Sequence, residues 1–330
     1  MTAGGPATPG ERGDPDDGSR LAPDAVRTVT CVGAGVIGGG WAAYFLAHGY
    51  DVVAWDPAPD AESRLRHMVD VAWPALTELG LSDGASRDRL VFEPDLKAAV
   101  KNTDFVQESA PEVLDMKRAL LADIDAAAAP HVVISSSTSG FGMSEMQTSC
   151  LLPERTVVGH PFNPPYLVPL VEVVGGAATS PEVVAWTAEF FKQAGKSVIT
   201  MDREVPGFIA NRLQEALWRE ALHMVAAGEA TVEQIDQSIK DGPGLRWPVH
   251  GPCLTFHLAG GQGGMAHMLD HFGPSLLSPW TRLASTALTP ELRDAMVAGT
   301  EREAAGRTID ELVHERDQGI IAILRALGRV

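Results

Sequence analysis

The chain is poor in the residues that would staple it or bind a metal. Its three cysteines, Cys31, Cys150 and Cys253, are odd in number, far apart and outside any CxxC pair. No disulfide framework and no metal site is expected, and such usage fits a reducing cytoplasm. Positive charge is scarce as well: 26 Lys and Arg stand against 43 Asp and Glu, a net charge of −17. Nucleic-acid binding needs a basic face, so that class of partner is disfavoured. The acidity leans towards a neutral or cationic small molecule over a polyanion. No apolar run reaches the length of a membrane span, so no membrane partner is expected. The first residues, "MTAGGPATPGERGDPDDGSRLAPDA", lack a basic start and an apolar middle, which argues against a signal peptide. Their Gly, Pro and Asp content predicts a disordered tail over 1–25. What is present is a 330-residue chain, 45% hydrophobic and 21% charged, the balance of a globular protein with room for two domains.

From Arg27 to about Asp202, β-rich runs alternate with helical segments. "RTVTCV", "YDVVAW", "TDFVQES", "HVVISSS", "RTVVGH", "LVPLVEVV" and "KSVITM" read as strands. Helices are predicted at 36–49, 60–80, 111–129 and 180–195. The last has Ser180 as N-cap, Pro181 at its first position and Gly195 as its stop. This alternation implies an α/β domain over 26–205: a doubly wound, mainly parallel sheet of the Rossmann type. After "DREVPGF" the strands cease. An all-helical domain is expected over 206–330, with Thr231 capping its second helix and Gly/Pro-rich breaks at "DGPGLRWPVHGP" and "LAGGQGG".

Gly33, Gly35 and Gly38 have G-x-G-x-x-G spacing, after an apolar strand and at the opening of a helix. Gly33 permits a tight turn, Gly35 lets backbone approach a pyrophosphate, and Gly38 allows close helix–strand packing. Val36 and Ile37 begin the helix, whose N-terminal N–H groups attract phosphate. Asp56 ends the second strand, where an acid binds ribose hydroxyls and repels a 2′-phosphate. The cofactor expected is NAD.

In "GHPFNPPYLVPLVEVVGG", Glu172 is the single carboxylate in an apolar run, and His160 precedes it by twelve residues. A buried carboxylate needs a partner. A loop at "PFNPP" and a returning strand would bring the two side chains together. The carboxylate would then fix the imidazole tautomer, and the other ring nitrogen could take a proton from a secondary alcohol. The residues alone also allow a structural histidine at a strand end and a glutamate on a strand edge.

"VGAGVIGGG", "SSSTSG", "GHPFNPP…LVEVVGG" and "VPGFIANR" resemble, in order and at the expected spacing, signature segments of the 3-hydroxyacyl-CoA dehydrogenase superfamily. The resemblance implies NAD-dependent oxidation of a 3-hydroxyl to a 3-oxo group. It implies His160 as base, Glu172 as its orienting acid, and Ser139 and Asn211 as hydrogen-bonding partners of the substrate oxygen and the histidine. Read without it, Ser139 is a turn residue and Asn211 a helix-surface residue. "QESAPEVLDMKR" resembles the segment facing the nicotinamide half of NAD, implying roles for Glu108, Ser109 and Lys117; Lys117 also reads as an exposed helix lysine.

The C-terminal half resembles the branch of this superfamily that includes the L-carnitine and L-gulonate 3-dehydrogenases and lambda-crystallin. That implies a small, CoA-free 3-hydroxycarboxylate as substrate. The helix after Asp56 has no lysine cluster, and Pro169 stands where acyl-CoA enzymes carry a lysine. A trimethylammonium group would need aromatic faces, for which Phe141, Trp247 and Phe256 are candidates, with Arg246 for a carboxylate. Cys253, Pro248 and His250 depart from the branch's pattern, so a 3-hydroxyacyl thioester stays open as the alternative substrate. A non-catalytic NAD-binding role is the reading from another class. The helical domain is the expected contact of a homodimer.

Overall fold

The computed structural model describes residues 20–272, 281, 287 and 289–330. Contacts divide the chain into two units, Met1–Val205 and Pro206–Val330.

The first unit is built on an eight-stranded sheet. Its elements run β1 (Thr28–Val32), α1 (Val36–Ala47), β2 (Asp51–Trp55), α2 (Ala61–Leu79), β3 (Leu90–Phe92), α3 (Leu96–Lys101), β4 (Phe105–Glu108), α4 (Leu114–Ala127), β5 (Val133–Ser136), α5 (Met143–Met146), β6 (Thr156–Pro161), β7 (Leu170–Val174), α6 (Pro181–Gln193) and β8 (Ser197–Met201). The strand order is β3-β2-β1-β4-β5-β6-β7-β8. All neighbours are parallel except β6 and β7, which are antiparallel. Strands β4, β5 and β6 are buried along their whole length, as expected where helices cover both faces. The order reverses between β1 and β4, and ligands of such sheets bind at the carboxyl ends of the strands beside that point.

Local chemistry sets the element ends. Ser180 caps α6 by accepting from Val183 N–H, with Pro181 next in the chain. Gly195 then takes φ +90°, the left-handed conformation that stops the chain's helical course. β3 and α3 were not anticipated: a three-residue strand and a six-residue helix are too short to show a period. The strand expected from Leu167 begins instead at Leu170. Prolines 164, 165 and 169 keep the preceding residues in a turn, where Leu167 and Val168 N–H both donate to the Pro164 carbonyl.

Residues 1–19 of the expected tail lie outside the described residues. Residues 20–25 correct that expectation. Pro23–Ala25 form a 3₁₀ turn packed on α6, and the Trp186 indole donates to the Leu21 carbonyl at 2.6 Å. An indole N–H seeks an acceptor, and this half-buried one ties down the chain before β1.

The second unit holds α7 (Ala210–Ala226), α8 (Val232–Lys240), α9 (Pro252–Ala259), α10 (Gly264–Phe272), α11 (Pro290–Ala304) and α12 (Ile309–Ala326). Its described residues contain no strand. Thr231 starts α8 with a reciprocal capping box to Gln234, and Thr308 starts α12 likewise with Glu311. Helices α7 and α8 pack on α11, and α9 on α10. No helix among the described residues is long and apolar enough to cross a membrane.

Candidate active site

The carboxyl ends of the parallel strands gather most of the expected residues at one edge of the sheet. Gly33 follows β1, Asp56 follows β2, Ser109 follows β4, Ser139 lies beyond β5, and His160 is near the end of β6.

The glycine loop has the geometry that its spacing implies. Gly33 adopts φ +99°, and its N–H donates to the Trp55 carbonyl at 2.7 Å. A Cβ on Gly38 would sit 1.9 Å from the Gly33 carbonyl oxygen, so no larger residue fits there. A Cβ on Gly35, by contrast, would meet nothing within 4 Å. Gly35 precedes α1 without any side-chain cap. The first N–H groups of a helix have no partner within the helix. Open space in front of uncapped donors suits an anionic group, and a dinucleotide pyrophosphate fits. Val36 is 65% exposed and Ile37 half-buried at this mouth. Asp56 is half-buried, and its two oxygens accept from Ala34 N–H at 2.8 Å and Ala58 N–H at 2.9 Å. The acid thereby ties the end of β2 to the glycine loop.

His160 and Glu172 are brought together by the antiparallel pairing of β6 and β7. They lie directly opposite each other on β6 and β7. Cross-strand partners of this kind have neighbouring Cβ atoms. His160 Nδ1 and Glu172 Oε2 are 2.9 Å apart, with the residues 4% and 0% exposed. An ionised carboxylate only accepts, so Nδ1 carries the hydrogen of this bond. Phe162 packs edge-on to the imidazole, ring centroids 5.1 Å apart. The loop between the two strands is held from beneath by Lys196. Its buried side-chain nitrogen donates to the carbonyls of Pro165 and Val168 and lies 3.6 Å from the Tyr44 ring centroid. Burial pulls the pKa of Lys196 well below its ordinary value.

Around the turn after β5, the structure adds a residue that sequence reasoning missed. Glu112 Oε1 accepts from Thr138 Oγ1 at 2.6 Å, Ser139 N–H at 3.1 Å and Gly140 N–H at 2.9 Å. It thus fixes the backbone of exposed Ser139. The signal available was a second acid four residues after Glu108; nothing local showed that it would reach a segment 26 residues on. Glu108 is enclosed, its carboxylate accepting from Lys117 Nζ at 3.0 Å, from Ala110 N–H at 2.6 Å and from the Ser136 hydroxyl. Lys117 is 1% exposed and also lies 3.5 Å from Glu112 Oε2. The exposed-lysine reading is therefore corrected: Lys117 is buried against two acids, Glu108 and Glu112, which offset the cost of taking its charge out of water.

The remaining candidates divide between the units. Phe141 is half-buried in the sheet unit, beyond the Ser139 turn. In the helical unit, Asn211 is half-buried on the first turn of α7. Arg246 is exposed and Trp247 half-buried between α8 and α9, and Phe256 on α9 is 53% exposed. Arg246 lines a groove of about 460 Å³ with Leu245, Val249, His250, Thr255, Leu258 and Ala259.

A doubly wound sheet with a dinucleotide loop, and a paired imidazole at the same edge, defines the class: an NAD-dependent oxidoreductase. Residues 28–205 match the NAD binding domain of 3-hydroxyacyl-CoA dehydrogenase, and residues 207–315 match its C-terminal domain. The chain belongs to the 3-hydroxyacyl-CoA dehydrogenase family. It is 68% identical over 308 residues to an L-carnitine dehydrogenase of Streptomyces coelicolor, covering 93% of this chain and 97% of that protein. It is 52% identical over 302 residues to an L-carnitine dehydrogenase of Pseudomonas putida, covering 92% and 94%. A solved NAD⁺-dependent dismutase, 5-formyl-3-hydroxy-2-methylpyridine 4-carboxylic acid 5-dehydrogenase, superposes with a TM-score of 0.77. The two are 30% identical, and the match covers 92% of this chain and 99% of that one.

Proposed function

We propose that the protein oxidises the 3-hydroxyl of L-carnitine, or of a similar small 3-hydroxycarboxylate, to a 3-oxo group with NAD. One observation carries the reading: the buried His160–Glu172 pair, 2.9 Å apart, in a chain that shares 68% identity with an L-carnitine dehydrogenase.

NAD supplies the hydride acceptor when bound. The chain's residues hold it and manage the proton. The glycine loop and α1 receive the pyrophosphate, and Asp56 receives ribose hydroxyls and disfavours a 2′-phosphate. Glu172 holds His160 with hydrogen on Nδ1, so Nε2 takes the proton of the substrate hydroxyl. Ser139, whose backbone Glu112 fixes, donates a hydrogen bond to the substrate oxygen, and the family resemblance gives Asn211 a hydrogen-bonding role in the reaction as well. Arg246 offers a guanidinium to the substrate carboxylate. Phe141, Trp247 and Phe256 offer aromatic faces to a quaternary ammonium, each worth about 0.5–2 kcal/mol. Two observations support a CoA-free substrate. α2 has no lysine, and its arginines are already engaged along the helix, Arg64 with Asp60 and Arg66 with Glu62. The protein works in the cytoplasm as a homodimer, a reading supported by its few unpaired cysteines and by the apolar side chains exposed on α7 and α9.

The deciding experiment follows NADH absorbance with L-carnitine, L-gulonate and 3-hydroxybutyryl-CoA as separate substrates. Turnover of carnitine is expected. Activity on the thioester alone overturns the substrate. Absence of activity on all three, with NADH still bound and His160→Ala without consequence, leaves a non-catalytic binding protein.

A further inference from the structure

The hydroxyl of Ser137 is a meeting point for three other side chains of the sheet unit. The indole nitrogen of buried Trp41 lies 3.2 Å from its oxygen, and the amide nitrogen of buried Gln107 lies 2.7 Å away. An indole N–H only donates. The Gln107 amide is oriented too, because its nitrogen also donates to the Gly159 carbonyl at 3.3 Å. Turning the amide over would set two oxygens against each other. Ser137 Oγ therefore accepts two hydrogen bonds, which fills both of its lone pairs. Its single proton goes to its remaining partner, Ser109 Oγ, 2.9 Å away. Ser109 Oγ is thereby the acceptor of that bond, and its own proton is directed elsewhere.

Ser109 stands at the switch point of the sheet, just after β4 and beside the glycine loop that follows β1. A Cβ on Gly38 would lie 3.5 Å from the Ser109 Cβ, and one on Gly33 would lie 2.7 Å from the Ser109 carbonyl oxygen. The residue is half-buried, and its N–H is occupied by the Val32 carbonyl at 2.7 Å. The hydroxyl proton is what the side chain has left to offer. We propose that Ser137 orients Ser109 so that the Ser109 hydroxyl donates a hydrogen bond to an oxygen of the bound dinucleotide. This rests on the NAD reading of the site. Ser109 is the binding residue; Ser137, with Trp41 and Gln107 behind it, is a positioning residue that acts through it.

Calorimetric titration of NADH and ADP-ribose into the full chain tests this. Ser109→Ala is expected to weaken NADH by roughly 3–10-fold, the scale of one hydrogen bond. Ser109→Thr, which keeps the hydroxyl, is expected to restore most of it. Equal losses for both ligands place the acceptor on the pyrophosphate or its sugars; a loss for NADH alone places it on the nicotinamide, and either result supports the proposal. Ser137→Ala tests the positioning step. It should weaken NADH in the native background and add nothing in Ser109→Ala, a coupling that general loosening would not produce. Should Ser137→Ala fail to fold, the two Ser109 variants still decide. Unchanged NADH affinity in Ser109→Ala overturns the inference, as does a Ser137→Ala loss of equal size in both backgrounds. Native protein that binds neither ligand overturns the NAD reading itself, and the inference with it.

Discussion

The sheet unit and the helical unit bury their side chains differently. In the first, α1 encloses ten consecutive residues, Gly38 to Ala47. The charged side chains beneath its surface meet partners: Glu108 with Lys117, Asp125 with Arg155, Glu172 with His160. In the second, α7 and α9 bury no residue at all. Leu213, Leu217, Trp218, Leu254, Phe256 and Leu258 are each about half exposed or more. A parallel sheet covered on both faces completes its own core, whereas helices with apolar side chains on a second face need further cover. The comparison separates two kinds of surface: the sheet unit encloses its ionisable groups in paired geometry, and the helical unit leaves apolar side chains exposed.

The sharpest break of this comparison is at His160. His160→Ala is expected to lower kcat by ~10²–10⁴-fold, the range for a lost general base, with the molar mass by light scattering unchanged from the native protein. A loss below tenfold would remove the chemistry from the sheet unit. Next in size is the helical surface. Leu217→Glu with Trp218→Glu should weaken self-association by about a hundredfold or more, since each fully buried apolar side chain contributes about 1.5–3 kcal/mol. Sedimentation velocity reads this directly; an unchanged oligomer would locate the contact elsewhere. Asp56→Asn should raise the KM for NAD by about tenfold, the scale of hydrogen bonds to a charged group, and narrow the preference over NADP. Equal KM values in variant and native enzyme would separate Asp56 from the cofactor.

The smallest effect concerns stability of the sheet unit. His48 stacks on Tyr44, ring centroids 4.0 Å apart, and burial holds its pKa below the ordinary 6.5. The unfolded chain therefore takes up this proton first as pH falls. Stability contributed by the neutral imidazole is full above about pH 6.5 and is lost as pH drops from there through the lower folded value. Melting temperatures of His48→Gln should fall less steeply than native below that pH. Parallel profiles would show that His48 does not titrate on unfolding.

Much of the site was legible because its residues are tied to local pattern. Glycine spacing after a strand announced the loop at Gly33, and a lone acid in an apolar run announced Glu172. Lys117 was misplaced as an alternative because helical periodicity does not show that an acid from β4 will lie beside it. β3 and α3 escaped because an element of one or two turns has no repeat to detect.

By itself, the sequence determined the alternation of strands and helices, the turn that only glycine permits, and the presence of a histidine and a glutamate twelve residues apart. Those features depend on neighbours a few positions away. The tertiary structure decided that the two meet face to face across an antiparallel return, that Glu112 grips the Ser139 turn, and that Trp41, Gln107 and Ser109 converge on the Ser137 hydroxyl. The reason is that a hydrogen bond's direction is set by every partner around the group. Here those partners come from α1, β4 and β6, which only folding brings together.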